Sequence, residues 1–506
     1  MPTSRARRCS QTATSSTPKS NSSRNTDRRS GNASGHIRSP VTSSRNEVHL
    51  VTALPPTSLE RRLGPLDASA IVISNVIGVG IFTTPGVVAA MLPSTGAMLA
   101  VWGFGGALAF AGALAYAELA AWRPQAGGEY VYLRESFGRL AAFLTGWTSF
   151  VAGFSGAIAA GAMAVAVYVD RFVPGAGDTQ VIAGWKIGPL AIAVSPRALV
   201  AIATIVVLAL VQARGVRPGR LLQNSLTSVT VAALTAFVIA GLIVARSPQA
   251  AVVASDPTPP TAWLIALVPV MFSYTGWNAA VYVAEEVRNP TRNVPLALAL
   301  GTASVVALYL ALNTLYLRVV PREELAGAIG VGEIAASRLF GSAAAAMFAG
   351  LAVVIILSSL SAWTLAGPRI YFAMARDGVF LSAAARVHPL YRTPAGAILA
   401  QTLWSAILVL SGTFEQLLTY TGFSVILFSA LAVLSLFFVR MRGKDTDTFR
   451  AWGYPWAPAI FCAVSFAIVV NTIVNAPGPA FAGLGVIAAG LPVYAWTRFR
   501  NGGSGT

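Results

Sequence analysis

The chain has 506 residues, 55% of them hydrophobic and only 11% charged, against roughly 25% charged residues in an ordinary soluble domain; it reads as a polytopic membrane protein. A formal charge of +17 does not point to a nucleic-acid partner, because the basic residues lie in a leading tail and in short segments between apolar runs, the pattern that sets membrane orientation. Only Cys9 and Cys462 are present, so no disulfide framework is supported.

Residues 1–62 are rich in Ser, Thr, Arg, Asn and Pro, with eleven Arg and Lys before Leu63. Such a segment cannot bury enough apolar surface to offset the entropy of ordering it, and it is expected to be a disordered basic tail. An organellar transit peptide or an over-extended translation start has the same composition.

The first apolar segment, Asp67 to Ala90, is wide enough for a bilayer but carries Gly78 and Gly80 at its middle. Glycine costs about 1 kcal/mol in a helix interior, and irregular backbone at bilayer depth survives only where it is buried in protein or lines a cavity. Unwinding at Gly78-Val79-Gly80 would free N–H groups at the start of a second half-helix, which suit a carboxylate. It would also free carbonyls around Asn75, Val76 and Ile77, which suit an ammonium or a cation. One interruption could hold both ends of a zwitterion. A Gly-rich packing face is the other reading of this segment taken alone.

Apolar runs follow near 97–120, 139–169, 197–213, 223–245, 263–286, 294–318, 343–376, 394–411, 416–440, 456–474 and 479–498. With the first they make about twelve spans, long enough for helices and without the alternation of a barrel. Arginines cluster after the even-numbered spans (Arg123, Arg134, Arg139; Arg214, Arg217, Arg220; Arg288, Arg292; Arg376, Arg386, Arg392; Arg440, Arg442, Arg450), on the side of the tail and of Arg498 and Arg500. Both termini are therefore expected to be cytoplasmic, in a bacterial inner or plasma membrane.

The sixth run mirrors the first. Its centre, Val268 to Asn278, holds Pro269, Gly276 and the hydrogen-bonding side chains of Ser273, Tyr274, Thr275 and Asn278. Two interrupted helices, five spans apart and oppositely directed, are the mark of an inverted repeat with its ligand site between the halves.

These residues resemble the amino acid, polyamine and organocation (APC) transporter superfamily, closest to its amino acid permeases and L-type transporters. The motifs are Ile77-Gly-Val-Gly-Ile-Phe-Thr-Thr-Pro85, Tyr116-Ala-Glu118-Leu, Gly127-Gly128-Glu-Tyr130, Phe272-Ser-Tyr-Thr-Gly-Trp-Asn278 running to Glu285-Glu286-Val-Arg-Asn-Pro290, and Ala366-Gly-Pro-Arg369 through Ala375-Arg-Asp-Gly378. The resemblance covers about residues 63 to 498. It implies an all-α membrane protein with a 5+5 inverted repeat (63–245 and 263–440), discontinuous helices 1 and 6, two added helices over 455–498, and alternating access. By analogy the substrate carboxylate meets the N–H groups of Gly78, Val79 and Gly80, and its ammonium the carbonyls near Asn75, Val76, Phe272 and Thr275. The Phe272 ring resembles the family's gate; Ser273 lies in the same motif, and Trp277 and Asn278 match positions that shape the pocket. Glu285 and Glu286 are expected to form helix-end ion pairs with Arg288, and Trp363 to narrow the pocket.

Two departures bear on coupling. Val79 stands where relatives commonly carry serine, and Thr230 stands where proton-coupled relatives often carry lysine; the three lysines, Lys19, Lys186 and Lys444, all lie outside the predicted spans. A sodium ion could instead use first-helix carbonyls with the hydroxyls of Ser358, Ser359 or Ser361, although such hydroxyls usually serve neighbouring helices. No acid is found at mid-span, which favours a neutral L-amino acid, carried by exchange or uniport, over a cationic amino acid or polyamine. The alternatives are an antiporter for such cations on the same fold, or a transporter-like amino acid receptor signalling through the tail. No clustered nucleophile, metal set or phosphate loop suggests an enzyme. The expected partners are an amino acid and the lipid bilayer, with a proton or sodium as an open coupling ion; no cofactor, metal or accessory subunit is indicated.

Overall fold

A computed structural model of the chain describes residues 59–187, 190–245, 260–412, 414–443 and 449–502. The first span is two helices, α1 (Pro65–Val76) and α2 (Gly80–Met91), bent by 44° across a three-residue break. Pro65 opens α1, and the Asp67 carboxylate accepts from the Gly64 N–H at 2.7 Å, so the entry to the helix is fixed by local chemistry. Next come α3 (Thr95–Trp122), α4 (Glu129–Phe137), and α5 (Arg139–Thr148), which continues through a π-bulge at Ser149–Gly153 into α6 (Phe154–Val169).

The connection that follows contains a feature the all-α expectation did not include, an antiparallel hairpin of β1 (Ala183–Ile187) and β2 (Leu190–Val194), with Ala183 opposite Val194. Helices α7 (Pro196–Ala213) and α8 (Val216–Val244) complete the first half. The second half begins with α9 (Pro260–Tyr274), a turn, and the single helical turn α10 (Ala279–Tyr282) with a 3-10 turn at Ala284–Glu286. After it lie α11 (Pro290–Val319), two short helices α12 (Arg322–Leu325) and α13 (Val331–Phe340), α14 (Ser342–Arg376), α15 (Ala395–Ser411) and α16 (Phe414–Met441). The chain closes with α17 (Trp456–Asn475), α18 (Pro477–Ala488) and α19 (Gly490–Gly502).

Among the described residues nine helical stretches are long and apolar enough to cross a membrane, and the α1–α2 pair makes a tenth. The shorter apolar helices within α9 and at α15 fall where two more of the expected spans lie. The all-α membrane fold is thus as expected.

Close packing ties the broken span to the core. A Cβ at Gly301 of α11 would lie 2.7 Å from the Val72 side chain of α1, so α11 offers no side chain of its own at this contact and the two helices approach closely. The segment before α1 is clipped to the segment after α10: the N–H groups of Arg62 and Leu63 donate to the Glu286 carbonyl at 2.8 and 2.9 Å, and that of Arg288 to the Leu63 carbonyl at 2.9 Å. Leu59 is buried as well. Residues 59–62 therefore belong to the folded unit rather than to the expected tail, because their backbone groups find partners there; the tail up to 58 lies outside the described residues.

Candidate functional site

Both spans are interrupted at the expected motifs. The N–H groups of Gly78, Val79 and Gly80 have no hydrogen-bond partner among the described residues, and all three residues are partly exposed although Ile77 and Ile81 on either side are buried. They stand at the start of α2, where the unpaired amides and the helix dipole together favour an anion. The carbonyls at the two breaks are more occupied than the sequence suggested. The Tyr309 hydroxyl lies 2.9 Å from the Val76 carbonyl oxygen and 3.3 Å from that of Ser273, with one proton to share between them, and Ser359 Oγ donates to the Ile77 carbonyl at 2.6 Å. Each carbonyl retains a second lone pair for an ammonium. Asn75 is buried, with no partner for its Nδ2 among the described residues.

At the second break Thr275 folds back on its own helix, its hydroxyl donating to the Phe272 carbonyl at 2.6 Å and its N–H at 3.0 Å. Gly276 follows with a φ of +103°, and a Cβ there would sit 2.7 Å from the Asn75 carbonyl oxygen, so the backbone of the second break lies directly against Asn75 at the end of α1. Phe272 is 42% exposed, its ring over Gly422 of α16. Ser273 turns the other way and donates to Thr84 Oγ1 of α2 at 2.7 Å.

Trp277 and Trp363 find packing roles. The Trp277 indole is buried edge-on against Tyr116 and Phe461, wedged between α3 and α17, and Trp363 packs toward Gly161 of α6. The coupling candidates separate in the same way. Ser74 Oγ lies 2.6 Å from Thr227 Oγ1 and 2.7 Å from Ser358 Oγ, a hydroxyl cluster joining α1, α8 and α14, while Ser359 goes to the Ile77 carbonyl at the first break. Thr230, one turn along α8, is buried with no partner among the described residues. Ser361 is not part of this cluster: it accepts from Gln212 Nε2 of α7 at 3.1 Å, because it lies on another face of α14. Among the described residues no group of His, Cys, Asp or Glu is arranged to hold a metal.

Two acidic groups depart from the sequence expectation. Glu286 is paired with Arg369, not Arg288: Nε and Nη2 meet its two carboxylate oxygens at 2.7 and 3.1 Å, with both side chains 1% exposed. Glu285 pairs with Arg376 and also accepts from the Leu59 and Ala126 N–H groups. Sequence reasoning also missed Glu129. This side chain starts α4 but turns into the bundle, where its Oε1 accepts from Tyr116 at 2.6 Å, Asn278 Nδ2 at 2.7 Å and Ser429 at 3.3 Å. Burial pushes its carboxyl above the ordinary range, opposed by those hydrogen bonds. The signal lay in the glycines before it: Gly127 and Gly128 have φ of +109° and +48°, the turn that swings Glu129 inward.

The profile of the amino acid permease family matches residues 63–495. The chain is 30% identical to the b(0,+)-type amino acid transporter 1 of Mus musculus over 84% of its own length and 85% of that protein's. It is 27% identical to the serine/threonine exchanger of Bacillus subtilis over 88% and 98%, and 26% identical to the human cystine/glutamate transporter over 86% and 85%. A chain with two opposed helix breaks, matched by this profile over nearly all its described residues, belongs to the amino acid permease family of the APC superfamily of transporters.

Proposed function

We propose that this amino acid transporter exchanges neutral L-amino acids by alternating access, with the zwitterion held at the break between α1 and α2. The observation that carries the reading is the set of three unpartnered, partly exposed N–H groups at Gly78, Val79 and Gly80, next in the chain to the Val76 and Ile77 carbonyls, which have lone pairs to spare. Amides and carbonyls gathered at one break can serve a carboxylate and an ammonium without any charged side chain. Exchange is favoured over cation coupling because Ser74, Thr227, Ser358 and Ser359 already satisfy one another or a carbonyl, and because a relative spanning nearly the whole chain is a serine/threonine exchanger. In this reading residues 63–245 and 263–440 are the two inverted repeats, 455–498 are additions, and the termini face the cytoplasm.

The second reading, a carrier of cationic amino acids, draws on Glu129, a carboxylate one hydrogen bond behind Asn278. It is weaker because three donors already satisfy that oxygen and the side chain is only 7% exposed. Counterflow in proteoliposomes separates the readings. Labelled serine, alanine or leucine should enter against the same unlabelled amino acid inside, with or without proton or sodium gradients. Transport confined to arginine or lysine would reject the neutral reading, and loss of that transport in Glu129→Gln would assign its cause.

A further inference from the structure

A second candidate ligand site lies on the end of the bundle where residues 62–63 are clipped to residues 286–288. Arg61, Arg62, Val216, Arg217, Arg220 and Arg288 line a cavity of about 300 Å³ there. Its five arginines come from three separate segments: the approach to α1, the first turns of α8, and the link between the second break and α11. Acidic relief is partial. Glu60 pairs with Arg62 at 2.5 Å and is shared with Arg392 outside the cavity at 3.1 Å. Asp67 lies 3.6 Å from Arg220, while its oxygens also accept from the Gly64 N–H and from Asn224. Arg61, Arg217 and Arg288 have no carboxylate within ion-pair distance among the described residues.

We propose that this cavity binds a phosphate group, presented either by an anionic phospholipid headgroup or by a soluble phosphorylated molecule. Guanidinium groups suit this ligand because each offers paired N–H donors to two phosphate oxygens and stays charged at any relevant pH. Basic pockets between membrane helices near the bilayer surface are where anionic headgroups dock. A carboxylate ligand would meet the same charge but could not use as many donors, since it has two acceptor oxygens rather than three or four.

A phosphate bridging Arg61 or Arg62, Arg217 and Arg288 would fasten the first turns of α8 to the backbone clip between Leu63 and Glu286.

The test is thermal unfolding of the purified full-length protein in bilayers of phosphatidylcholine alone or in an equal mixture with phosphatidylglycerol, and in detergent with and without inorganic pyrophosphate. We expect Tm to rise by about 2–4 °C with at least one of these anions, and the rise to vanish in Arg61→Gln/Arg217→Gln/Arg288→Gln while surviving in Arg386→Gln. A rise with phosphatidylglycerol alone identifies the lipid as the source; one with pyrophosphate identifies a soluble ligand. Arg217→Gln by itself, at an exposed and unpaired position, should halve the rise and guards against a triple variant that does not fold. No rise with either anion, or an undiminished rise in the variants, overturns the proposal. Since unfolding is read without any amino acid substrate, the outcome is independent of what the protein carries.

Discussion

Asn278 Nδ2 donates to Glu129 Oε1 at 2.7 Å, joining the second helix break to a carboxyl that enters the bundle from the α3–α4 turn. The amide also meets the Tyr282 hydroxyl at 3.0 Å, so both of its donors are used inside the protein. Asn278 therefore fixes the exit of the break, one residue after Trp277 is wedged between α3 and α17.

Replacing that amide by an acid should make the break sensitive to pH. In Asn278→Asp two carboxyl groups would share one hydrogen bond in a buried place, where only one can stay ionised. At low pH the shared proton keeps the contact; as pH rises and that proton is lost, the pair repels. Exchange by Asn278→Asp should fall at least ~10-fold between pH 5 and pH 8, a loss of about 1.4 kcal/mol in barrier terms, whereas Asn278→Ala should be impaired evenly. Initial rates of counterflow across that range would decide it, and a flat profile for the aspartate variant would reject the contact.

Glu129 itself makes a stability prediction. Its carboxyl is raised chiefly by burial, so the folded state favours the protonated form. The stabilisation from that proton is complete below the unfolded carboxylate range and is lost as pH rises through the higher folded value. Glu129→Gln keeps an acceptor for Tyr116 and Asn278 without the titrating proton. The melting temperature of the wild type should decline over that window relative to the glutamine variant, and parallel curves would show that Glu129 does not titrate there.

The two helix breaks were legible in the sequence because glycine and proline at the centre of a bilayer-length apolar run free backbone groups that only surrounding protein or a water-lined cavity can satisfy. The partners of the breaks were not. Ser359 reaches the Ile77 carbonyl from 282 positions away, and Tyr309 reaches Val76 from 233 away; no periodicity marks which hydroxyl on α11 or α14 will face α1. Glu129 escaped for a related reason. It begins a short polar helix that reads as a loop, and only the two positive-φ glycines before it turn the side chain into the bundle. The hairpin of β1 and β2 was hidden by its length, five residues a strand inside a connection between spans. Nearness in sequence pairs Glu286 with Arg288, whereas the fold brings Arg369 to it from α14.

That buried pair should be sensitive to losing one member. With both side chains 1% exposed, Glu286→Gln leaves a guanidinium without a counter-charge, and Arg369 keeps the Leu365 carbonyl, which accepts from its Nη1 at 2.6 Å. Destabilisation of about 3–5 kcal/mol is expected. The double change Glu286→Leu/Arg369→Met, which removes both charges, should recover most of it. Denaturation of the single and double variants in detergent measures the coupling, and additive losses would place the stabilisation elsewhere.

The contact between the breaks gives the sharpest test of the site, because it depends on the absence of a side chain. Gly276 has a φ of +103°, and a Cβ there would lie 2.7 Å from the Asn75 carbonyl oxygen, so even alanine must push the second break away from the first. At Gly80 a Cβ would already stand 3.0 Å from Ser273 Oγ; leucine would add three more carbons next to the free N–H groups. Gly276→Ala and Gly80→Leu should each reduce exchange to background, while Gly103→Ala on α3, where a Cβ meets nothing within 4 Å, should retain full activity and gain a few tenths of a kcal/mol in stability. Equal expression of the three variants, followed by counterflow and by binding of a labelled neutral amino acid, separates loss of folding from loss of the site. If Gly80→Leu exchanges at the wild-type rate, the carboxylate is not held at these amides and the ligand must sit elsewhere in the bundle.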